Sequence, residues 1–152
     1  MISNVVVYNA DSHFASIISG VPGKIIEDVQ LNNIRIYYRQ MDSSFDKIPT
    51  IVPENEKQYP EPAKMGIMPA YGFFIRHVKG IKFNNVEVSY LGKEVRPAII
   101  LDDVKDIELF RVITKPVADT KDIILNGVEN FYLHESNRIK NKRIEKLTST
   151  SF

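Results

Sequence analysis

A template of five apolar positions recurs along this chain and constrains its fold more than any other feature. Residues 78–88, VKGIKFNNVEV, place apolar side chains at Val78, Ile81, Phe83, Val86 and Val88. Residues 26–36, IEDVQLNNIRI, repeat the pattern at Ile26, Val29, Leu31, Ile34 and Ile36. Residues 104–114 repeat it at Val104, Ile107, Leu109 and Val112, with Thr114 last. Residues 128–136 keep Val128, Phe131 and Leu133 before the pattern decays, and a partial copy opens the chain at Ile2, Val5 and Val7. Equivalent positions lie 29 residues apart from Ile2 to Leu31, 52 from Leu31 to Phe83, 26 from Phe83 to Leu109 and 24 from Leu109 to Leu133. A period in the middle twenties with one doubled interval is the signature of a solenoid.

The repeated unit reads as strand. Val, Ile, Phe and Tyr dominate it, and its apolar residues alternate in short runs broken by Asn, Asp or Gly. The pairs in LNNI and FNNV suit corners, because Asn tolerates left-handed backbone and hydrogen-bonds locally. The leucine-rich pattern Leu-x-x-Leu-x-Leu-x-x-Asn is absent. The expected fold is all-β: a right-handed, single-stranded parallel β-helix over residues 1–136, of about four to five coils.

The doubled interval predicts a loop insertion over residues 39–71, which hold five of the chain's eight prolines. Proline cannot donate to a sheet ladder, so the segment is thrown out from one coil. Such a loop is either functional or an ordered cover packed on the sheet. Residues 137–152 form a basic tail, read as a short capping helix or a frayed terminus.

With 43% hydrophobic residues in 152, the chain supports one domain with a real core. A net charge of +1 argues against nucleic acid as a partner, since counterion release needs a basic excess. No apolar run approaches the roughly 18 residues of a membrane-spanning helix. There is no cysteine, hence no thiol chemistry or disulfide. His13, His77 and His134 are far apart, and no pair has metal-ligand spacing, so no metal or cofactor is expected. SGVPGK at 19–24 lacks the Walker spacing and reads as a turn.

Adjacent carboxylates at Asp102 and Asp103 resemble the acid/base pair of a glycosidase. Aligning the coils gives them another meaning. Asp103 falls with His77 and Gly127, and Asp102 with Arg76 and Asn126, after the strands FFI, IIL and IIL. Asp, Asn and Gly are turn formers, so the pair is expected to build a corner.

The stretch YPEPAKMGIMPAYGFFIRHVKGIKFNNVEVSY, with RPAIILDDV after it and ADSHFASIISGVPG before it, resembles the C-terminal half of bacterial glycoside hydrolase family 28 proteins. The resemblance covers roughly residues 1–136, irregular segments included. It implies a polygalacturonase-like protein with the pectin-lyase β-helix fold, acting on pectin-type polysaccharide by carboxylate acid/base catalysis, exported in its full-length form. Family members carry Asn-Thr-Asp, Asp-Asp, Gly-His-Gly and Arg-Ile-Lys in order, upstream of the region matched here. The fragments Asn9–Asp11, Asp102–Asp103 and Arg138–Lys140 do not reproduce that order or spacing, and Gly-His-Gly is absent. The resemblance therefore implies that the catalytic coils lie outside this segment, which has no catalytic residue of its own and is expected to be inactive alone. The alternatives are a non-catalytic β-helix that binds acidic polysaccharide or a protein, and a structural remnant without a ligand.

Candidate substrate contacts follow. Arg76 and His77 could meet the carboxylate of an acidic sugar, as guanidinium pairs well with carboxylate. Tyr59, Glu61 and Tyr71 flank the proline-rich loop and are candidates for a cleft edge, with core anchoring as the competing reading. An uncapped first coil at Ile2, Val5 and Val7 is expected to favour a homodimer through that end.

Overall fold

The computed structural model describes residues 1–42, 44–59 and 61–152; Ser43 and Pro60, both inside the predicted loop, lie outside the described residues. The protein is all-β. Its strands are β1 (Ile2–Ala10), β2 (Ser16–Ser19), β3 (Ile26–Tyr38), β4 (Phe73–Tyr90), β5 (Ile99–Thr114), β6 (Ile123–His134) and β7 (Lys142–Ser151). They form one sheet in the order β1, β3, β4, β5, β6, β7, and every pairing is parallel except β6 with β7. β2 and β3 lie on the same edge of β4 in succession, against Phe73–Arg76 and Val78–Tyr90. Between them SGVPGK makes the expected turn, closed by Val21 and Lys24 exchanging backbone hydrogen bonds.

The register follows the sequence repeat. Ile2 stands opposite Leu31, Leu31 opposite Phe83, Phe83 opposite Leu109, and Leu109 opposite Leu133. Leu31, Ile34, Ile81, Phe83, Val86, Ile107, Leu109, Val112, Phe131 and Leu133 are all buried in one core. Each such side chain contributes about 1.5–3 kcal/mol by leaving water.

Residues with left-handed backbone recur at equivalent steps and interrupt the alternation. His77, Asp103 and Gly127 form one column, with φ of 52°, 52° and 57°. Asp28, Gly80, Asp106 and Asn130 form a second. Asn4, Asn33, Asn85 and Arg111 form a third. One left-handed residue between extended ones turns the chain, which is why the apolar template steps by three at these points. The third column is also a side-chain ladder: Asn85 donates to Asn33 (2.9 Å), and Asn33 donates to Asn4 (3.0 Å). In the second column, Asn130 donates to Asp106 (2.8 Å).

The described residues of the 39–71 loop form a cover packed on the sheet. It includes a 3-10 turn at Ser44–Lys47 and one helical turn, α1 (Pro62–Met65). Val52, Met68 and Ala70 pack on Phe74 and Ile100 in a second, smaller core on the opposite face of the sheet from Ile75 and Leu101. The runs FFI and IIL are continuously apolar because both of their faces are buried. A buried ion pair fixes the cover further. Arg96 makes a bidentate contact with Glu94 (2.8 and 2.7 Å), each side chain being 1% exposed. Its other donors reach the Ser12 carbonyl (2.7 Å) and the Met68 carbonyl (3.1 Å).

The tail differs from expectation. It is neither a helix nor frayed: β7 runs antiparallel along β6, with Ile144 opposite Phe131 and Leu147 opposite Val128. The three-residue spacing from Ile144 to Leu147 mirrors the step from Val128 to Phe131, because β6 turns at Asn130 between them. Arg138–Lys140 lies in the connection before β7, well away from Asp102 in sequence.

Candidate functional site

The site begins where β4, β5 and β6 reach their first left-handed column. Arg76, Asp102 and Asn126 are partners in register, and His77, Asp103 and Gly127 follow at the next step. A non-glycine residue in left-handed backbone is uncommon, and Asp accepts that conformation more readily than most. Asp103 takes that conformation, and Asp102 precedes it in extended backbone.

The proline-rich cover brings Glu54 to this row. Arg76 lies beneath it, 2% exposed, and donates to the backbone carbonyls of Val52 (2.8 Å) and Pro53 (3.1 Å). It also pairs with Glu54 (3.2 Å) and reaches the Ser19 hydroxyl (3.4 Å). These contacts satisfy a buried charge that would otherwise be costly. Arg76 thus ties the cover to the sheet and presents no free edge to a ligand.

His77 stands between two carboxylates. Its Nδ1 is 2.6 Å from Asp103, and its Nε2 is 3.2 Å from both oxygens of Glu54. A neutral imidazole carries one N–H, so only the imidazolium donates to both sides. Burial disfavours the cation, but the hydrogen bonds to Asp103 and Glu54 outweigh it and hold the pKa of His77 above its ordinary value. Asp102 has the opposite balance. Partial burial raises its pKa; Arg76 and His77 pull it down, Glu54 and Asp103 push it up, and the net shift is upward. Among the described residues, none hydrogen-bonds the Asp102 side chain.

Two clefts meet at Glu54. The first, about 560 Å³, is walled by Ile51, Val52, Pro97, Ile100 and Ile124 and has Glu54, Asp102 and Asn126 as its polar edge. The second, about 520 Å³, lies between β2 and the cover, and Tyr59 and Lys64 line it above Ile17, Ile26 and Met65.

The five candidate contacts are placed differently. Arg76 and His77 come together with Glu54, which sequence reasoning missed. Tyr59 is 76% exposed on the second cleft. Glu61 is exposed at the start of α1, where its side chain makes no capping hydrogen bond. Tyr71 is fully buried among Tyr38 and Tyr90, and its hydroxyl donates to the Lys115 carbonyl (2.8 Å). It anchors the core and has no face left for a sugar ring. His13 and His134 sit elsewhere, beside Asp11 and Glu108 respectively. Among the described residues, no group of three or more His, Asp or Glu is arranged to hold a metal ion.

No protein-family model, curated protein or solved structure matches this chain. Chemically, the first cleft offers a half-buried carboxylate, a carboxamide and apolar walls. Planar acids and amides of this kind form hydrogen bonds with vicinal hydroxyls, and flat aliphatic surfaces accept the C–H faces of sugar rings.

Proposed function

We propose that this chain forms coils of a right-handed parallel β-helix of the polygalacturonase-like kind. Its loop-covered flank binds pectin-type polysaccharide, and it hydrolyses none on its own. The observation that carries the binding role is the row of Asp102 and Asn126 at the edge of an apolar-walled cleft. The coil geometry is supported by the parallel register and by left-handed residues at equivalent steps of successive strands. A strand turned at the same places as its neighbour stays stacked on it while the chain winds.

The lack of activity follows from the motifs. Gly-His-Gly is absent, and of the adjacent aspartates Asp103 takes the corner and is paired with His77. The test is a calorimetric titration of the protein with pectin oligosaccharides, alongside a reducing-end assay on polygalacturonate and rhamnogalacturonan. Saturable binding with no reducing ends released is expected. Hydrolysis by the pure chain would overturn the non-catalytic assignment, and a flat titration would overturn the binding role.

A further inference from the structure

We propose that the cleft beside Asp102 takes an uncharged stretch of polysaccharide, such as methyl-esterified galacturonate, and discriminates against the free uronate. This rests on the reading that the chain binds pectin-type polysaccharide, and it specifies the ligand's charge. Three charged side chains line the cleft: Glu54, Arg76 and Asp102. The cation is already committed. Arg76 is 2% exposed, and its guanidinium is taken by the Val52 and Pro53 carbonyls, the Ser19 hydroxyl and Glu54. Glu54 is already paired with Arg76 and His77, so the carboxylate that a ligand uronate would meet is Asp102, which forms no ion pair among the described residues, and no guanidinium N–H is left to bind the ligand. His77 at the next step does not change this, because its two ring nitrogens face Asp103 and Glu54.

The rest of the cleft suits an ester. Ile51, Val52, Pro97 and Ile124 give aliphatic surface on which a methyl group and sugar C–H bonds lose water favourably. Asp102 accepts hydroxyl donors. Asn126 already accepts from the Ser149 hydroxyl (3.1 Å), which leaves its amide N–H groups to donate.

The experiment titrates the whole chain with one oligogalacturonate in two forms, free acid and fully methyl-esterified, at low and high ionic strength. The ester is expected to bind at least about tenfold more tightly at low salt, with the gap narrowing as salt screens the repulsion. In Asp102→Asn the gap should shrink, because the carboxylate without an ion pair is gone. Equal or tighter binding of the free acid would overturn the charge selectivity and leave polysaccharide binding standing. An unchanged gap in Asp102→Asn would show that the selectivity arises elsewhere. Failure of both forms to bind would remove the polysaccharide reading itself, and the charge selectivity with it.

Discussion

The imidazolium of His77 links the cover to the sheet, so this link should weaken as pH rises. The ring contacts Asp103 on the sheet and Glu54 on the cover, and its side chain is 13% exposed. A hydrogen bond to a charged group is worth about 1.5–3 kcal/mol in protected surroundings. The partners are more open, at 37% for Glu54 and 54% for Asp103, so solvent screening reduces each contact to roughly 1 kcal/mol. The clamp is then worth about 2 kcal/mol when His77 is protonated. The folded pKa is raised above the ordinary 6.5. The stabilisation is therefore complete below the unfolded value and is lost as pH rises through the higher folded value. Urea unfolding of the native protein and of His77→Gln, followed across neutral pH, measures the difference. Gln leaves the backbone cost at this left-handed position nearly unchanged but cannot titrate. The variant should be about 2 kcal/mol less stable in mild acid, about 4–8 °C in melting temperature, and nearer to the native protein in mild alkali. A gap that is the same at both ends of the pH range would refute the clamp.

Three further outcomes are expected. Glu94→Gln leaves Arg96 buried without its counter-charge and should cost about 3–5 kcal/mol in urea unfolding, far more than an exposed pair such as Lys146 with Glu129. Asn33→Ala removes the middle of the asparagine ladder and puts a less tolerant residue at φ 54°, so it should cost about 1–3 kcal/mol, with Asn33→Gly recovering part of the loss. β1 contains no charged residue and exposes Ile2, Val6 and Tyr8 on an open edge, whereas β7 at the other edge carries Lys142, Arg143, Glu145 and Lys146. Light scattering should therefore show concentration-dependent association that Val6→Lys abolishes; a monomer at every concentration would count against an unprotected edge.

The rungs were legible because their signal is local and repeated. Five apolar positions in one copy and five in the next fix the register of β3 on β4 with no knowledge of the rest of the chain. The register at Asp102 was legible for the same reason: the repeat aligns it with Arg76 and Asn126, its partners on β4 and β6. β7 was missed because antiparallel pairing reverses the template. Ile144 and Leu147 lie three residues apart, which is the step from Val128 to Phe131 read backwards. Glu54 was missed because nothing in a proline-rich, aperiodic segment says which carboxylate will meet which corner. That contact depends on how Val52 and Met68 seat on Phe74 and Ile100, which is a packing outcome.

The cover itself left a trace in the strands it hides. A strand with one solvated face alternates apolar and polar residues, as Glu87 and Ser89 do around the buried Val88. Phe73–Ile75, Ile99–Leu101 and Ile123–Leu125 do not alternate, so something apolar had to lie on their outer face. That requirement decides between a free lid and a packed cover for residues 39–71. It also explains the fate of Arg76. A cation placed just beyond a doubly buried run sits at the rim of the cover, where unpaired loop carbonyls need donors. A guanidinium with five N–H groups serves the Val52 and Pro53 carbonyls there and so is lost to recognition. Asp102, one rung further along the same row, lies under no such demand and keeps its oxygens for the cleft.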